Sequence, residues 1–348
     1  MPSTSTQAQS FGGSRTSSAL LEDVSIVVPA HNAAGEIDRC LSALDHAQVR
    51  EVIVVDDGST DGTGAIAARH RARVETLPAR SGAALARNHG VRLAGGNVVL
   101  FVDADIVAEA EVVERAVLSF AELSTYAALF GSYDAEPGSS ALVAKFRNLL
   151  HHYTHQIGRR EADTFWSGFG LVRRDAFQSV GGFDPVWTGL EDIELGYRMR
   201  ARGHHIRLDP SLQVKHLKQW NLRSMLNTDF QFRARLWTLL ILARGELPDD
   251  LNVRRAQRAS VFLAGLIAAS LVASFADSRW LGVLAIAVAG LCWLNRGFYA
   301  LLREKGGIPF ALCCFPLHVV YFLSAGLGFV SMWLEHRLGL PGAQRVSA

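Results

Sequence analysis

At 348 residues the chain is long enough for one large α/β domain plus an appendage. Its 35 basic and 33 acidic residues leave a net charge of only +2, which excludes the basic footprint of a nucleic-acid-binding protein. The cysteines Cys40, Cys292, Cys313 and Cys314 have no zinc-type spacing, and three of them lie in strongly apolar segments. They read as packing residues in a reducing or lipid setting rather than a disulfide framework.

Residues 1–20 are rich in Ser, Thr, Gly and Gln and contain no apolar h-region, so they read as a disordered tail rather than a signal peptide. The domain that follows is expected to stay in the cytoplasm. Strand candidates begin near Val24, Val49, Arg73 and Val98, about one βα unit apart, and predict a doubly wound sheet. Between them Ile37, Cys40, Leu41 and Leu44 share one helical face, and Thr60 or Asp61 can cap the next helix. The run Val52 to Val55 is apolar without alternation, as expected of a strand covered on both faces.

Two such runs, EVIVVDDGSTDG at 51–62 and NVVLFVDADI at 97–106, end in acidic residues. Ligands of open α/β sheets collect beyond the carboxyl ends of the strands, so Asp56, Asp57, Asp103 and Asp105 are expected to face one cleft. The i, i+2 spacing of Asp103 and Asp105 projects both carboxylates to one side of an extended backbone, which suits a hard cation and a diphosphate. Arg80 and Arg87, at the opening and within the SGAALARN helix, can reach phosphate oxygens, and Arg87 can equally be a buried structural arginine.

Further along, a strand from Ala127 to Gly131 leads to a turn at Asp134 to Gly138, and 141–160 reads as a helix. Its His151, His152 and His155 show no HExxH arrangement and read as a solvated face. Residues 165–185 read as a loop, a short strand and a helix ending at Gly181-Gly182, and the next helix runs from about Asp192 to Gly203. From Leu222 to Arg244 apolar residues interleave with arginines, which fits either a helix at a membrane interface or an amphipathic helix packed on the domain. Three apolar stretches then follow: Ala259 to Ala276 (18 residues), Trp280 to Leu294 (15) and Ile308 to Leu334 (27). They predict about three transmembrane helices. With Arg254, Arg255 and Arg258 before the first and Arg296, Arg303 and Lys305 before the third, the positive-inside bias puts the amino-terminal domain and the 295–307 segment in the cytoplasm and Glu335 to Ala348 on the opposite side.

The segments VSIVVPAHNAAGEI, VVDDGSTDGT, SGAALARNHG, FVDAD, VGGFD and GLEDIELGYRMRARG occur in an order and spacing that resemble the family 2 glycosyltransferases over roughly residues 23–220. The resemblance implies a GT-A domain (Rossmann-like, of the nucleotide-diphospho-sugar transferase type) at 21–221. Around it lie the 1–20 tail, an amphipathic interfacial segment at 222–256, transmembrane helices at 257–336 and a tail at 337–348. It implies that Pro29, His31 and Asp56 or Asp57 hold the nucleobase and ribose of a UDP-, GDP- or TDP-sugar, with Arg80 nearby. Asp103 would contact ribose or metal, Asp105 would bind Mg²⁺ or Mn²⁺, and His216 in LQVKHLKQW would add a third metal or diphosphate contact. Trp166, Ser167, Gly168 and Glu191 would line the sugar or acceptor pocket, and Asp192 would be the base of an inverting transfer. A carboxylate opening a helix is otherwise a simple cap.

Two departures from the family pattern stand out. Arg80 occupies a place where many members carry Asn, and Gln231, Arg235 and Trp237 match the QxxRW motif of processive synthases only loosely, which favours transfer of single sugars. The expected enzyme sits in the inner (plasma) membrane as a multi-pass protein, touches membrane lipid, and acts on a lipid-linked or glycan acceptor in cell-envelope glycolipid or polysaccharide synthesis. A sugar-phosphate nucleotidyltransferase would need a glycine-rich basic loop near the amino terminus, which PAHNAAGEI lacks. An inactive membrane partner of a polysaccharide assembly complex is disfavoured by the intact Asp57, Asp103, Asp105 and Asp192.

Overall fold

The computed structural model describes residues 16–245 and 251–340. Most of the tail expected at 1–20 and the end of the chain beyond Leu340 lie outside the described residues. Within that tail, however, Thr16 caps a short helix α1 (Ser17–Leu21) whose Leu21 is buried.

The first half alternates strand and helix as its apolar periodicity dictates: β1 (Val24–Ala30), α2 (Ile37–Leu44), β2 (Glu51–Asp56), α3 (Thr63–Ala67), β3 (Arg73–Thr76), α4 (Ala83–Leu93) and β4 (Val98–Val102). These four strands are parallel, in the order β3-β2-β1-β4. Alternate side chains enter two cores. Ile26, Val28, Val54, Leu100 and Val102 pack under α2 and α5 (Ala110–Glu122), whereas Val27, Ile53, Val55, Val99 and Phe101 pack against α4 and later helices. Burial on both faces is why these strands are apolar throughout.

The second half departs from a doubly wound sheet. After the two-residue β5 (Ile106–Val107) come β6 (Tyr126–Tyr133), α6 (Leu142–Gln156), β7 (Glu161–Ala162), β8 (Phe169–Arg173), α7 (Arg174–Ser179), α8 (Glu191–Ala201) and β9 (His205–His216). Strand β8 inserts antiparallel between β4 and β6, and β9 is parallel to β6, so the sheet is mixed. Two short ladders set the site: β8 brings 166–169 beside Asp103, and β5 pairs antiparallel with the end of β9, placing His216 opposite Ile106.

A helical arm follows, made of α9 (Leu222–Asn227), a π-helical stretch (Thr228–Arg235) and α10 (Leu236–Arg244). The stretch expected to be helical between Leu222 and Arg244 is helical, and much of it packs inward. Met225, Asp229, Trp237, Leu239 and Leu240 are buried, Arg235 pairs with Glu335 and Arg244 lies over the Tyr197 ring.

The last region contains α11 (Arg255–Ala273), α12 (Trp280–Leu294) and α13 (Arg296–Arg337). Of these, α11 and α13 are long and apolar enough to cross a membrane, and α12 is shorter. Asn295 Nδ2 donates to Ser260 Oγ at 2.9 Å, so α11 and α12 form an antiparallel hairpin. Its surface is apolar, with Phe262 71 %, Phe275 89 % and Ile286 74 % exposed.

Helix α13 does not run straight. Gly307 has φ 76° and ψ 177°, and the rings of Tyr299 and Phe315 lie 6.2 Å apart, where a straight helix of that separation would set them roughly 24 Å apart. The chain therefore reverses at Gly307. The long second limb runs back under the domain until Met332 packs with Trp187, Leu190 and Trp237, and Glu335 meets Arg235 at 2.7 Å. Its end lies beside the α/β domain and the helical arm.

Candidate active site

The carboxyl ends of β1, β2 and β4 open onto a cleft of about 640 Å³ lined by Pro29, His31, Asp57, Arg80, Asp103 and Asp105, among others. Five expected donor-site residues, and Asp105 with them, thus converge. Two loops are interlocked at its floor: His31 Nδ1 meets the Asp57 carbonyl at 2.9 Å, Asn32 N–H donates to Ser59 Oγ, and Thr60 N–H donates to Asn32 Oδ1. Asp57 accepts from Ser81 N–H, Ser81 Oγ and Gly82 N–H at 2.6–2.8 Å. Burial alone would raise this carboxyl, but the Ser81 and Gly82 donors hold it below its ordinary value. Asp57 thereby fixes the loop that presents Arg80. Asp56 does not line the cleft: it is 4 % exposed and accepts from Ser59 N–H, a turn-capping role.

Arg87 is the structural alternative realised. Its guanidinium donates to Asp103 Oδ1 at 2.6 Å and to Glu191 Oε1 at 2.8 Å, and is itself buried. Burial would weaken its charge, but the two carboxylates raise its pKa further. Glu191, expected in the acceptor or sugar pocket, is instead locked by Arg87 and by Gly189 N–H at the donor side. Gly168 contributes its carbonyl, which accepts from Asp103 N–H at 3.1 Å.

Asp103 and Asp105 have separate partners. Burial raises Asp103 despite Arg87. Asp105 faces His216 Nε2 at 3.3 Å, and although burial acts to raise it, His216 and Lys218 bring it below its ordinary value. Among the described residues no group of three His, Cys, Asp or Glu side chains could by itself hold a metal ion. The donor set at Asp105 and His216 nevertheless fits Mg²⁺ or Mn²⁺, which are bound by one or two protein ligands while substrate phosphates supply the rest.

Asp192 faces a different space. It lines an adjoining pocket of about 240 Å³ with Trp166, His151, His216, Lys218, Arg233 and other residues. Gly189, His216's neighbour Lys218 and the loop around them border both cavities. Asp192 Oδ2 accepts from Ser167 N–H at 3.2 Å. Burial, then the neighbouring Glu191 charge, push its pKa up to about 6.

The helix α6 histidines are not a solvated face. His152 and His155 are buried, each donating its Nδ1–H to a backbone carbonyl, of Tyr133 and Gly131 respectively, and burial pushes His155 down to about 3. The His151 ring lies tilted against Tyr133 at 4.2 Å, Tyr133 stacks on His216 at 4.2 Å, and His151 Nδ1 is buried without a hydrogen-bond partner. Tyr133, His151, Lys218 and Arg233 are site residues that the sequence reading missed.

A mixed sheet whose parallel half ends in acidic residues over a cleft, crossed by an antiparallel strand beside a D-x-D, defines a GT-A nucleotide-diphospho-sugar transferase domain. Residues 25–181 match glycosyl transferase family 2, and the chain carries a domain of that family. It is 27 % identical over 215 residues to pre-mycofactocin glycosyltransferase of Mycobacterium tuberculosis, covering 59 % of this chain and 44 % of that one. It is 24 % identical over 330 residues to the succinoglycan biosynthesis protein ExoA of Rhizobium meliloti, covering 90 % and 95 %. The chain spans about half the length of several other curated relatives it matches. The fold is shared with a mannosyltransferase of Pyrobaculum calidifontis, solved with GDP-Man and Mn²⁺: TM-score 0.56, 20 % identity, 88 % of this chain and 87 % of that one.

Proposed function

We propose that the protein transfers a sugar from a nucleoside-diphosphate donor in the larger cleft to a hydroxyl of an acceptor in the adjoining pocket, inverting the anomeric centre. The observation that carries this reading is the meeting of the two cavities at Gly189 and Lys218, with Asp105 on the donor side and Asp192 on the other. In this reading Pro29 and His31 border the nucleoside, Asp57 holds the 80–82 loop, and Arg80 and Lys218 face the diphosphate. Mg²⁺ or Mn²⁺ on Asp105 and His216, with Asp103 behind them, would neutralise charge on the departing diphosphate. Asp192, poised at about 6, takes the proton of the acceptor hydroxyl as that oxygen attacks C1. Trp166 and the unpartnered His151 Nδ1 offer a stacking face and a polar contact to the acceptor.

The acceptor is lipid-linked or a glycan, and the apolar α11–α12 hairpin holds the enzyme at the membrane bearing it. Similarity to a succinoglycan biosynthesis protein over nearly the whole chain supports a role in envelope polysaccharide or glycolipid synthesis. The test is a panel of UDP-, GDP- and TDP-sugars offered to the full chain with a membrane lipid extract. Transfer should occur with one donor class, stop in EDTA and return with Mn²⁺. Transfer that continues undiminished in EDTA would remove the metal from the scheme.

A further inference from the structure

The acceptor pocket does not close at its far end. Arg233 and Trp237, which line it, also line a third cavity of about 400 Å³ between the π-helical arm and the second limb of α13. Its walls are mostly apolar, including Ile241, Val261, Ala325, Phe329 and Val330, with Asp229, Gln257 and Arg258 also on the lining. Phe329 and Val330 are also about half exposed, so this trough runs out onto the apolar surface of the helical region. The charges around the junction are mostly engaged: Asp229 sits 2.9 Å from Arg147, and Arg235 is paired with Glu335. Among the described residues no carboxylate pairs with Arg233, which leaves its guanidinium at the boundary between the polar pocket and the trough. The order of surfaces from Asp192 outward is therefore a polar pocket, an uncompensated cation and a hydrocarbon-lined channel.

We propose that the trough seats the hydrocarbon chain of the acceptor and that Arg233 holds its phosphate, so that the acceptor is a sugar carried on a lipid phosphate or diphosphate, and a hydroxyl of that sugar reaches Asp192. This deepens the glycosyl-transfer reading and rests on it. A bulk phospholipid would satisfy the apolar walls equally, but the cation belongs to both cavities, so a headgroup bound there points into the Asp192 pocket rather than along the surface. A guanidinium is suited to this duty because it offers several donors to phosphate oxygens and stays charged beside an apolar wall.

The test uses the full chain in nanodiscs and a farnesyl phosphate bearing a diazirine at the end of its chain. Photolabelling should map to α10 and to residues 325–330, and unlabelled farnesyl phosphate should compete. Arg233→Gln should weaken that competition by about 10-fold or more, the loss expected for a charge-assisted contact. Ala325→Trp, which fills the trough, should abolish labelling, with melting temperature checking the fold of both variants. Competition by farnesol or by a palmitoyl-oleoyl phosphatidylglycerol vesicle as strong as by farnesyl phosphate would overturn the proposal, as would labelling elsewhere or indifference to Arg233→Gln. Labelling as expected without sugar transfer from any donor would leave the lipid site standing and sink the transfer reading. Transfer to a soluble sugar without labelling would do the reverse.

Discussion

Arg87 joins Asp103 to Glu191, which lies 104 positions beyond Arg87 itself, through one buried guanidinium. Removing one member of such a cluster leaves the others uncompensated, which typically costs about 3–5 kcal/mol. Arg87→Leu should therefore lower the unfolding free energy by roughly that amount in denaturant titration, and Arg87→Lys should recover part of it. A loss below about 1 kcal/mol would show that the cluster is not coupled as described. Asp192 makes a pH prediction of opposite sign to most carboxylates. Its folded pKa of about 6 lies above the ordinary 3.8, so its stability contribution is full below about 4 and is lost as pH rises towards 6. Asp192→Asn should stabilise the protein by about 1–3 kcal/mol at pH 7.5 and by nothing at pH 4. In the wild type, turnover should fall as pH drops through about 6, because the base is then protonated. A flat profile between pH 5 and 8 would contradict this.

Among the elements, β1 to β4 were legible because burial on both faces leaves no polar positions to confuse the pattern. Their starts at Val24, Glu51, Arg73 and Val98 fall within two residues of those read from the sequence. Strand β9 was harder, since Asp209-Pro210 interrupts it and its exposed and buried positions alternate. The burial of His152 and His155 and the packing of His151 on Tyr133 were not legible at all, because they are imposed by β6 and by the Tyr133 ring from another part of the chain. Which of Glu191 and Asp192 faces which cavity likewise depends on where Arg87 lies. The turn after β2 supplies a test at this scale. Gly58 has φ +67°, and a Cβ there would come within 2.8 Å of the Ala79 and Arg80 backbone. Gly58→Ala should push the Arg80 loop off Asp57, costing about 1–3 kcal/mol of stability and weakening nucleotide binding. Unchanged affinity for UDP and GDP with Mn²⁺ would argue against a donor role for that loop.

At the scale of the whole molecule, hydropathy located the apolar helices but not their directions. A run of apolar residues has the same composition whether it crosses a membrane or folds back, and the reversal was written only in Gly306-Gly307 and Pro309. The contacts of Met332 and Glu335 with the domain give α13 a returning limb, and from them we propose that only the α11–α12 hairpin enters the membrane. Reporters placed in the 277–279 turn and at the carboxyl terminus should give signals from opposite sides of the membrane, the terminus sharing the side of the catalytic domain. A terminus on the same side as the 277–279 turn would refute this arrangement.

Donor site, base and acceptor pocket are meaningful only together, and Asp192→Asn separates them with little change of shape. Sugar transfer and nucleotide affinity should be measured side by side on this variant and the wild type, with the donor found by the panel and Mn²⁺ present. Affinity should be unchanged while turnover falls by about 10²-fold or more, because the amide cannot take the acceptor proton. Turnover within a few-fold of the wild type would contradict the assignment of Asp192 as the base.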